Sequence, residues 1–355
     1  MSYPPATSPT IAILGAGVAG LCMGIRLKRA GIHSFTIYEK SDRVGGTWYE
    51  NSYPGAGCDV PSHLYCFSFE PNPDWSRKFS EQPEIWRYLE HCVAKYGLGP
   101  HLRFGTEIAG ARFDAPAGVW RLRTRAGEEI TAAVLVSGTG QLNRPHVPAI
   151  PGLDGFAGTA FHSARWDHTR DLTGRHVAVI GNGASAIQFI PRIAPAVQRL
   201  AVFQRTANWV VPRMDREYRA AEKWMFRHLP VLLRAYRASI YWRLEARFFG
   251  FFTGSWASRK AEQAATEYLH AQIADPALRR ALTPDYPVGC KRILISDDYY
   301  QALVRPNVEV VTDAIARVAP DGVVTADGTV RPADTIILAT GFEATSFLAP
   351  MEIEG

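Results

Sequence analysis

Two glycine-rich turns in the sequence have the residue types needed to hold a phosphate group. Each follows a short β-branched apolar run and opens a helix-like pattern. In a GxGxxG turn the first glycine permits the tight bend, the second lets the backbone approach a pyrophosphate, and the helix N-terminus supplies N–H donors. The sequence therefore predicts two dinucleotide sites. Their residues are Gly15, Gly17 and Gly20 in the first turn, and Gly181, Gly183 and Ser185, with alanine at the third glycine position, in the second.

The residue at the end of the next strand distinguishes the two sites. Glu39 lies 24 residues after Gly15, and Arg205 lies the same distance after Gly181. A carboxylate accepts a hydrogen bond from a ribose hydroxyl and would repel a 2′-phosphate, whereas arginine binds a phosphate with two parallel hydrogen bonds. The first site is therefore predicted to bind FAD and the second NADPH. The alternative for Arg205 is a solvated surface arginine.

These sites require an α/β fold with two Rossmann-like dinucleotide-binding domains and a helical insertion in the second. The β–α–β pattern occurs twice, and the strand-like segment TIILATG lies near the end of the chain. The predicted parts are a disordered lead-in (1–9), the first part of the FAD-binding domain (10–145), a linker (146–172), the NADP-binding domain (173–335) with its insertion (214–282), and an incomplete return to the FAD domain (336–355).

The insertion combines helical spacing with aromatic and basic side chains. Such a pattern occurs in helices on membrane surfaces, but a face packed on its own protein is more common. We therefore predict that the apolar face of the insertion packs on the protein itself and that there is no membrane partner. The alternative is that this face forms a hydrophobic wall for the substrate. The aromatic residues include Trp224, Phe226, Tyr236, Tyr241, Trp242, Phe248 and Phe249.

Composition excludes several other classes of protein. The net charge of +5 is spread along the chain, so no nucleic-acid partner is expected. Five scattered cysteines without a CxxC motif predict neither a metal site nor a disulfide framework, and they fit a reducing cytoplasm. Cys58 and Cys66 are too far apart in sequence for the redox pair of a flavin disulfide reductase. Neither substrate identity nor oligomeric state follows from the sequence.

Two further motifs carry a resemblance to a known family. Residues 156–167 read FAGTAFHSARWD and match FxGxxxHxxxW followed by Asp or Pro, and residues 44–69 contain VGGTWYENSYPGAGCDVPSH. The chain from 10 to 355 resembles the type I Baeyer–Villiger monooxygenases, whereas related N- and S-oxygenating enzymes usually lack the tryptophan. The motif residues are Phe156, Gly158, His162 and Trp166, which in this family couple domain movement to catalysis.

The resemblance implies an NADPH-dependent FAD monooxygenase. In that family NADPH reduces FAD, O2 adds to the flavin to give a C4a-peroxide, and the peroxide attacks a ketone that rearranges to an ester or lactone. N- or S-oxygenation is one alternative. The relatives also continue past the equivalent of residue 355, so a truncated nucleotide-binding homologue without turnover is another.

The resemblance also assigns roles to individual side chains. Arg292 would lie beside the flavin, where a permanent positive charge stabilises a peroxyanion and a developing alkoxide. Asp59 would hold Arg292, and Lys291 would join Arg205 and Thr206 at the 2′-phosphate. The alternatives are a turn aspartate and a basic dipeptide on the surface. Further cofactor contacts are expected at Gly46, Thr47, Trp48, Tyr53, Asp59, Thr340 and Gly341.

Overall fold

The computed structural model describes residues 9–252, 254–346 and 348–355. Apart from Pro9, the predicted disordered lead-in lies outside these residues, as does the side chain of Phe249. The described residues divide into two compact units. The first consists of the described residues up to Glu50 together with Pro83–Pro145 and Phe342–Gly355, and the second consists of the described residues in Asn51–Gln82 and His146–Gly341.

The described residues form eighteen strands and nine α-helices. The strands are β1 (Ile11–Leu14), β2 (Phe35–Tyr38), β3 (Leu102–Arg103), β4 (Ile108–Asp114), β5 (Val119–Thr124), β6 (Glu129–Ala132), β7 (Val134–Ser137), β8 (Thr159–His162), β9 (His176–Ile180), β10 (Arg199–Phe203), β11 (Val210–Val211), β12 (Leu294–Ile295), β13 (Val308–Val311), β14 (Ile315–Ala319), β15 (Gly322–Thr325), β16 (Val330–Pro332), β17 (Thr335–Leu338) and β18 (Glu352–Glu354). The helices are α1 (Val18–Arg29), α2 (Thr47–Glu50), α3 (Gln82–Lys95), α4 (Ala186–Ile193), α5 (Ala220–His228), α6 (Pro230–Glu245), α7 (Trp256–Gln272), α8 (Pro276–Leu282) and α9 (Tyr299–Leu303).

The first unit is built on a parallel sheet with the strand order β3-β2-β1-β7. All four residues of β1 are buried, as expected of a central parallel strand with both faces covered. A second sheet has the order β18-β4-β5-β6. In this second sheet β4, β5 and β6 pair antiparallel in chain order, whereas β7 pairs in parallel with β1 of the first sheet.

The second unit repeats this plan on a larger scale. Its parallel sheet has the order β13-β10-β9-β17-β8, and β14, β15 and β16 form a separate three-stranded antiparallel sheet. The central strands contribute Val177, Val179 and Leu200 to a buried cluster, on which α4 packs through Phe189 and Ile190. The α/β fold with two Rossmann-like units is thus confirmed.

The predicted helical insertion is confirmed as α5–α8. Local capping explains two of its helix starts: Ser255 accepts from the Ser258 N–H before α7 (3.0 Å), and Asp275 accepts from the Ala277 N–H before α8 (2.9 Å). Within the described residues, no helix is both long enough and apolar enough to cross a membrane.

The inner side of the insertion packs on a buried histidine. The ring of His63 lies 4.6 Å from Phe226, 4.9 Å from Tyr218 and 5.6 Å from Tyr236, measured between centroids. His63 is only 1% exposed, and burial lowers its pKa to about 4, with a further contribution from the charge of Arg237. The imidazole is therefore neutral at pH 7.

The prediction that the aromatic residues of the insertion pack inward is only partly right. Phe226 is buried, but Trp224, Tyr241, Trp242 and Phe248 are exposed. The apolar residues of this segment occupy more of the helix surface than the core can cover, so the sequence pattern alone did not identify the buried face.

We predict that His63→Phe makes the stability of the protein less dependent on pH. An unfolded histidine takes up a proton near pH 6.5, whereas the buried ring resists protonation until about pH 4, so the folded state loses stability as the pH falls between these values. The wild type should lose about 2 kcal/mol more than the variant between pH 7.5 and 5.0. Denaturant unfolding at both values measures this difference, and replacement of the exposed His270 by Gln is the control. Equal losses in wild type and His63→Phe would contradict the prediction.

Candidate functional site

The first glycine turn forms a narrow backbone cradle between β1 and α1. Gly15 has φ +94°, and a Cβ there would lie 2.8 Å from the carbonyl oxygen of Gly138, the residue after β7. A Cβ on Gly20 would overlap the carbonyl oxygen of Gly15. Because α1 starts at Val18, its first-turn N–H groups have no acceptors within the helix. This geometry fits a pyrophosphate group.

Glu39 connects the end of β2 to the same turn. Its buried carboxylate accepts from the backbone N–H of Ala16 at 2.7 Å and from that of Ser41 at 2.9 Å. The carboxylate is therefore held beside the glycine turn, where its remaining lone pairs can accept from a ribose hydroxyl.

The loop before α2 also lies against this turn. Gly46 has φ +54°, and a Cβ there would lie 3.1 Å from the Cα atom of Gly17. Thr47 begins α2, and Trp48 is buried. The structure thus brings Gly46 and its neighbours to the first fingerprint, as the resemblance implied, although their contacts with a cofactor remain a prediction.

The second glycine turn repeats the first. Gly181 has φ +107°, and a Cβ there would overlap the carbonyl oxygen of Ala339, the residue after β17. Ala339 therefore corresponds to Gly138 of the first unit. At Gly183 a Cβ would meet no atom within 4 Å, which leaves room for a ligand, and Ser185 directly precedes α4. The alanine at the third position, Ala186, is fully buried without obstruction.

Basic groups collect beyond the end of β10. Lys291 donates to the Thr206 hydroxyl (2.8 Å), and its ammonium lies 4.5 Å from the centre of the Tyr286 ring. Arg205 precedes Thr206 in the chain and is exposed. The structure therefore brings two of the three residues predicted for a 2′-phosphate into contact, and the third, Arg205, is next to them in the chain. Two cationic side chains and a hydroxyl suit that group.

Arg292 and Asp59 form a salt bridge in the second unit. The carboxylate of Asp59 is partly buried, while the guanidinium remains accessible. Burial raises the pKa of the neighbouring Cys58 to about 12, so that side chain stays a thiol and is not a redox nucleophile.

The sequence matches one family model over nearly its whole length. Residues 8–351 match the model described as flavin-binding monooxygenase-like. The chain belongs to that family. It is 49% identical over 335 residues to a Baeyer–Villiger monooxygenase of Streptomyces coelicolor, an alignment that covers 94% of this chain and 64% of the relative. The chain thus spans less than two thirds of that relative's length.

Solved structures of the family share the fold. An oxidized steroid monooxygenase bound to NADP is 34% identical, with a TM-score of 0.85, and the match covers 98% of this chain and 74% of that one. The OTEMO complex with FAD and NADP is 29% identical, with a TM-score of 0.87, and the match covers 98% and 75% of the two chains.

The tryptophan motif forms the edge of the second unit's sheet. A Cβ on Gly158 would overlap the carbonyl oxygen of Asp334, so glycine is needed for β8 to lie beside β17. His162 accepts from the Ala164 N–H at 3.1 Å, and burial lowers its pKa. Trp166 packs 5.2 Å from Phe189 between ring centroids. Phe156 also packs on the core.

Three more of the residues predicted to contact a cofactor lie in the second unit, namely Tyr53, Thr340 and Gly341. The Thr340 hydroxyl donates to the carbonyl of His146, and Gly341 has φ +82°. Tyr53 is buried in the second unit, where its hydroxyl donates to Gln188 at 3.0 Å and its ring lies 6.0 Å from that of Phe189. The packing role of Tyr53 is thus visible, while its predicted cofactor contact stays a prediction.

Sequence reasoning missed two side chains that hold the Asp59 loop. The amide of Gln188 accepts from the Gly57 N–H (3.2 Å) and donates to the Gly57 carbonyl (3.0 Å). Arg213 donates to the carbonyl of Cys58 at 3.0 Å. Neither residue belongs to a motif. A signal did exist for Gly138, because SGTG after β7 parallels ATG after β17.

Proposed function

We propose that this protein is a monooxygenase that uses NADPH, FAD and O2 to insert an oxygen atom beside a ketone carbonyl, giving an ester or lactone. The observation that carries this proposal is the pair of adjacent contacts at Lys291 and Arg292. The ammonium of Lys291 donates to the Thr206 hydroxyl at the second nucleotide site. The guanidinium of Arg292 forms a salt bridge with Asp59. The Streptomyces relative, named a Baeyer–Villiger monooxygenase, supports the same reaction.

FAD is proposed for the first unit and NADPH for the second. The buried carboxylate of Glu39 at the first turn suits a nucleotide with a free ribose hydroxyl. The second nucleotide site suits a ribose phosphate, because it is lined by Arg205, Thr206 and Lys291. The related structures carry NADP, and one carries FAD as well.

Arg292 is the proposed catalytic cation. Bound FAD, reduced by NADPH, supplies the activated oxygen. As oxygen attacks a carbonyl, negative charge develops on the carbonyl oxygen, and a guanidinium stabilises it without losing its own proton. Asp59 positions that guanidinium through a charge-assisted hydrogen bond. Gln188 and Arg213 fix the backbone of the Asp59 loop.

The substrates are proposed to be a small ketone and O2, and the compartment to be the cytoplasm. All five cysteines are free thiols, which fits a reducing environment.

We predict that Gly20→Ala removes FAD binding while Ala186→Gly does not. The added methyl group at Gly20 would collide with the Gly15 carbonyl and push α1 away from the turn, whereas Ala186 already fits in the corresponding position. Flavin absorbance of the purified proteins measures retention, and we expect Gly20→Ala to be purified without bound flavin while Ala186→Gly keeps it. Equal flavin retention in both variants would show that close packing of α1 does not form the site.

Product analysis tests the proposed reaction. The chain is incubated with FAD, NADPH and air, together with cyclohexanone or thioanisole, and the products are separated by gas chromatography and mass spectrometry. We expect the lactone from cyclohexanone, formed faster with NADPH than with NADH. Sulfoxide without lactone would favour S-oxygenation, and NADPH binding without any product would favour a nucleotide-binding protein without turnover.

A further inference from the structure

The outward face of α6 carries an apolar stripe. Leu233 and Ile240 are buried against the protein. On the opposite side, Val231, Ala235, Ala238 and Trp242 follow one another at spacings of four, three and four residues, so they share one face of the helix. All four are exposed, Val231 at 72% and Trp242 at 69%. A helix that is apolar on both sides needs a second apolar environment.

The same surface continues beyond the end of α6. Phe248, in the 3-10 segment Ala246–Phe251, is 58% exposed, and Phe252 and Trp256 are 54% and 67% exposed. This segment packs against both α6 and α7, and the rings of Phe248 and Phe252 lie 5.2 Å apart between centroids. Together with the stripe they form the aromatic surface, defined as Val231, Ala235, Ala238, Tyr241, Trp242, Phe248, Phe252 and Trp256.

Positive charge is concentrated in the chain segment that carries the aromatic surface. Residues 223–260 contain eight Lys and Arg residues but only one acidic residue, Glu245, so this segment has a net charge of +7 against +5 for the entire chain. The rest of the chain is therefore slightly acidic. Arg234, Arg243 and Arg247 are exposed, and Lys260 lies 4.4 Å above the centre of the Trp256 ring.

We propose that the aromatic surface binds an anionic lipid bilayer, with α6 lying in the plane of the headgroups. Tryptophan and tyrosine favour the interface because their rings are apolar and their edges are polar. Apolar side chains on one face of a helix enter the boundary between headgroups and acyl chains. Lys and Arg beside them gain about 1 kcal/mol each from anionic lipids, and long basic side chains reach the phosphates while their stems stay apolar.

A bilayer explains this combination better than an acidic protein does. An acidic protein would pair with the arginines, but acidic residues are depleted at the core of protein interfaces. A bilayer instead offers anionic headgroups directly beside an apolar interior. An expectation of no membrane partner followed from inward packing of the aromatic residues, which the exposure of Trp242 and Phe248 contradicts.

Vesicle co-sedimentation of the full chain tests the proposal. The probes are vesicles of phosphatidylcholine alone and vesicles containing about 30% phosphatidylglycerol. We expect the wild type to sediment with the anionic vesicles only, with a blue shift of tryptophan fluorescence, and to be partly released by about 0.5 M NaCl. The double variant Val231→Ser/Trp242→Ser and the double variant Arg234→Glu/Arg243→Glu should each bind at least tenfold more weakly.

A matched variant separates this effect from a general loss of surface hydrophobicity. Val147 and Val330 are exposed apolar residues outside the aromatic surface, so Val147→Ser/Val330→Ser should bind anionic vesicles like the wild type. Circular dichroism checks that each variant is folded. The proposal is overturned if the wild type does not bind anionic vesicles or if Val231→Ser/Trp242→Ser binds them equally well. It is also overturned if gel filtration shows a dimer that this variant dissociates, because the surface would then contact a second copy.

Discussion

Replacement of Arg292 by alanine should lower the rate of ketone oxygenation at least 100-fold while NADPH still reduces the flavin at close to the wild-type rate. The reason is that a preorganised cation is needed only when negative charge develops on oxygen, a contribution of the order of 10²–10³ in rate. Hydride transfer from NADPH to the flavin does not require that cation. Single-turnover flavin reduction without oxygen and product formation with oxygen measure the two steps separately.

Two conservative replacements sharpen this prediction. Arg292→Lys keeps the charge but loses the planar donor pair, and Asp59→Asn keeps the shape of the partner but removes its charge. Both should give intermediate rates of oxygenation. Arg305→Ala, at an exposed arginine elsewhere in the second unit, is the control and should behave like the wild type. Full oxygenation by Arg292→Ala would remove Arg292 from the mechanism.

Arg205→Ala should raise the KM for NADPH roughly 10- to 100-fold and leave that for NADH nearly unchanged. A charge-assisted hydrogen bond contributes about 1.5–3 kcal/mol, and only NADPH has the 2′-phosphate that accepts it. Lys291→Ala should have a smaller effect of the same kind, since its ammonium already shares the Thr206 hydroxyl. Steady-state kinetics with both nucleotides measure the preference.

The control for this prediction lies on the same strand. Arg199 starts β10, at the end away from Arg205, and pairs with Glu309 at 2.8 Å. Arg199→Ala should therefore leave the ratio of the two KM values unchanged. An equal increase for NADPH and NADH in Arg205→Ala would mean that this residue contacts a part common to both nucleotides, or acts on the fold.

The local sequence pattern was enough to predict both β–α–β units. Apolar β-branched runs followed by glycine turns define β1 and β9, and the comparison of Glu39 with Arg205 depends only on spacing. The faces of α6 were harder to assign, because apolar residues recur at helical spacing on both sides. Periodicity then gives a helix without showing which stripe is buried.

The contacts at Lys291 and Arg292 could not be derived from local pattern either. Their partners, Thr206 and Asp59, lie 85 and 233 residues away, and nothing in the residue types of a basic dipeptide selects them. Only the family resemblance pointed to these residues. Gln188 and Arg213 gave no signal, because their roles depend on backbone atoms that the fold alone brings near.

Incorporation of oxygen from labelled O2 tests the central claim most directly. The protein is supplied with FAD, NADPH, cyclohexanone and ¹⁸O2. The mass of the product is measured by mass spectrometry, and the consumption of NADPH is recorded in the same reaction. We predict a lactone that is 2 Da heavier than with ordinary oxygen, in a yield close to one molecule per NADPH. NADPH consumption without lactone, or lactone without the label, would contradict the proposed monooxygenase reaction.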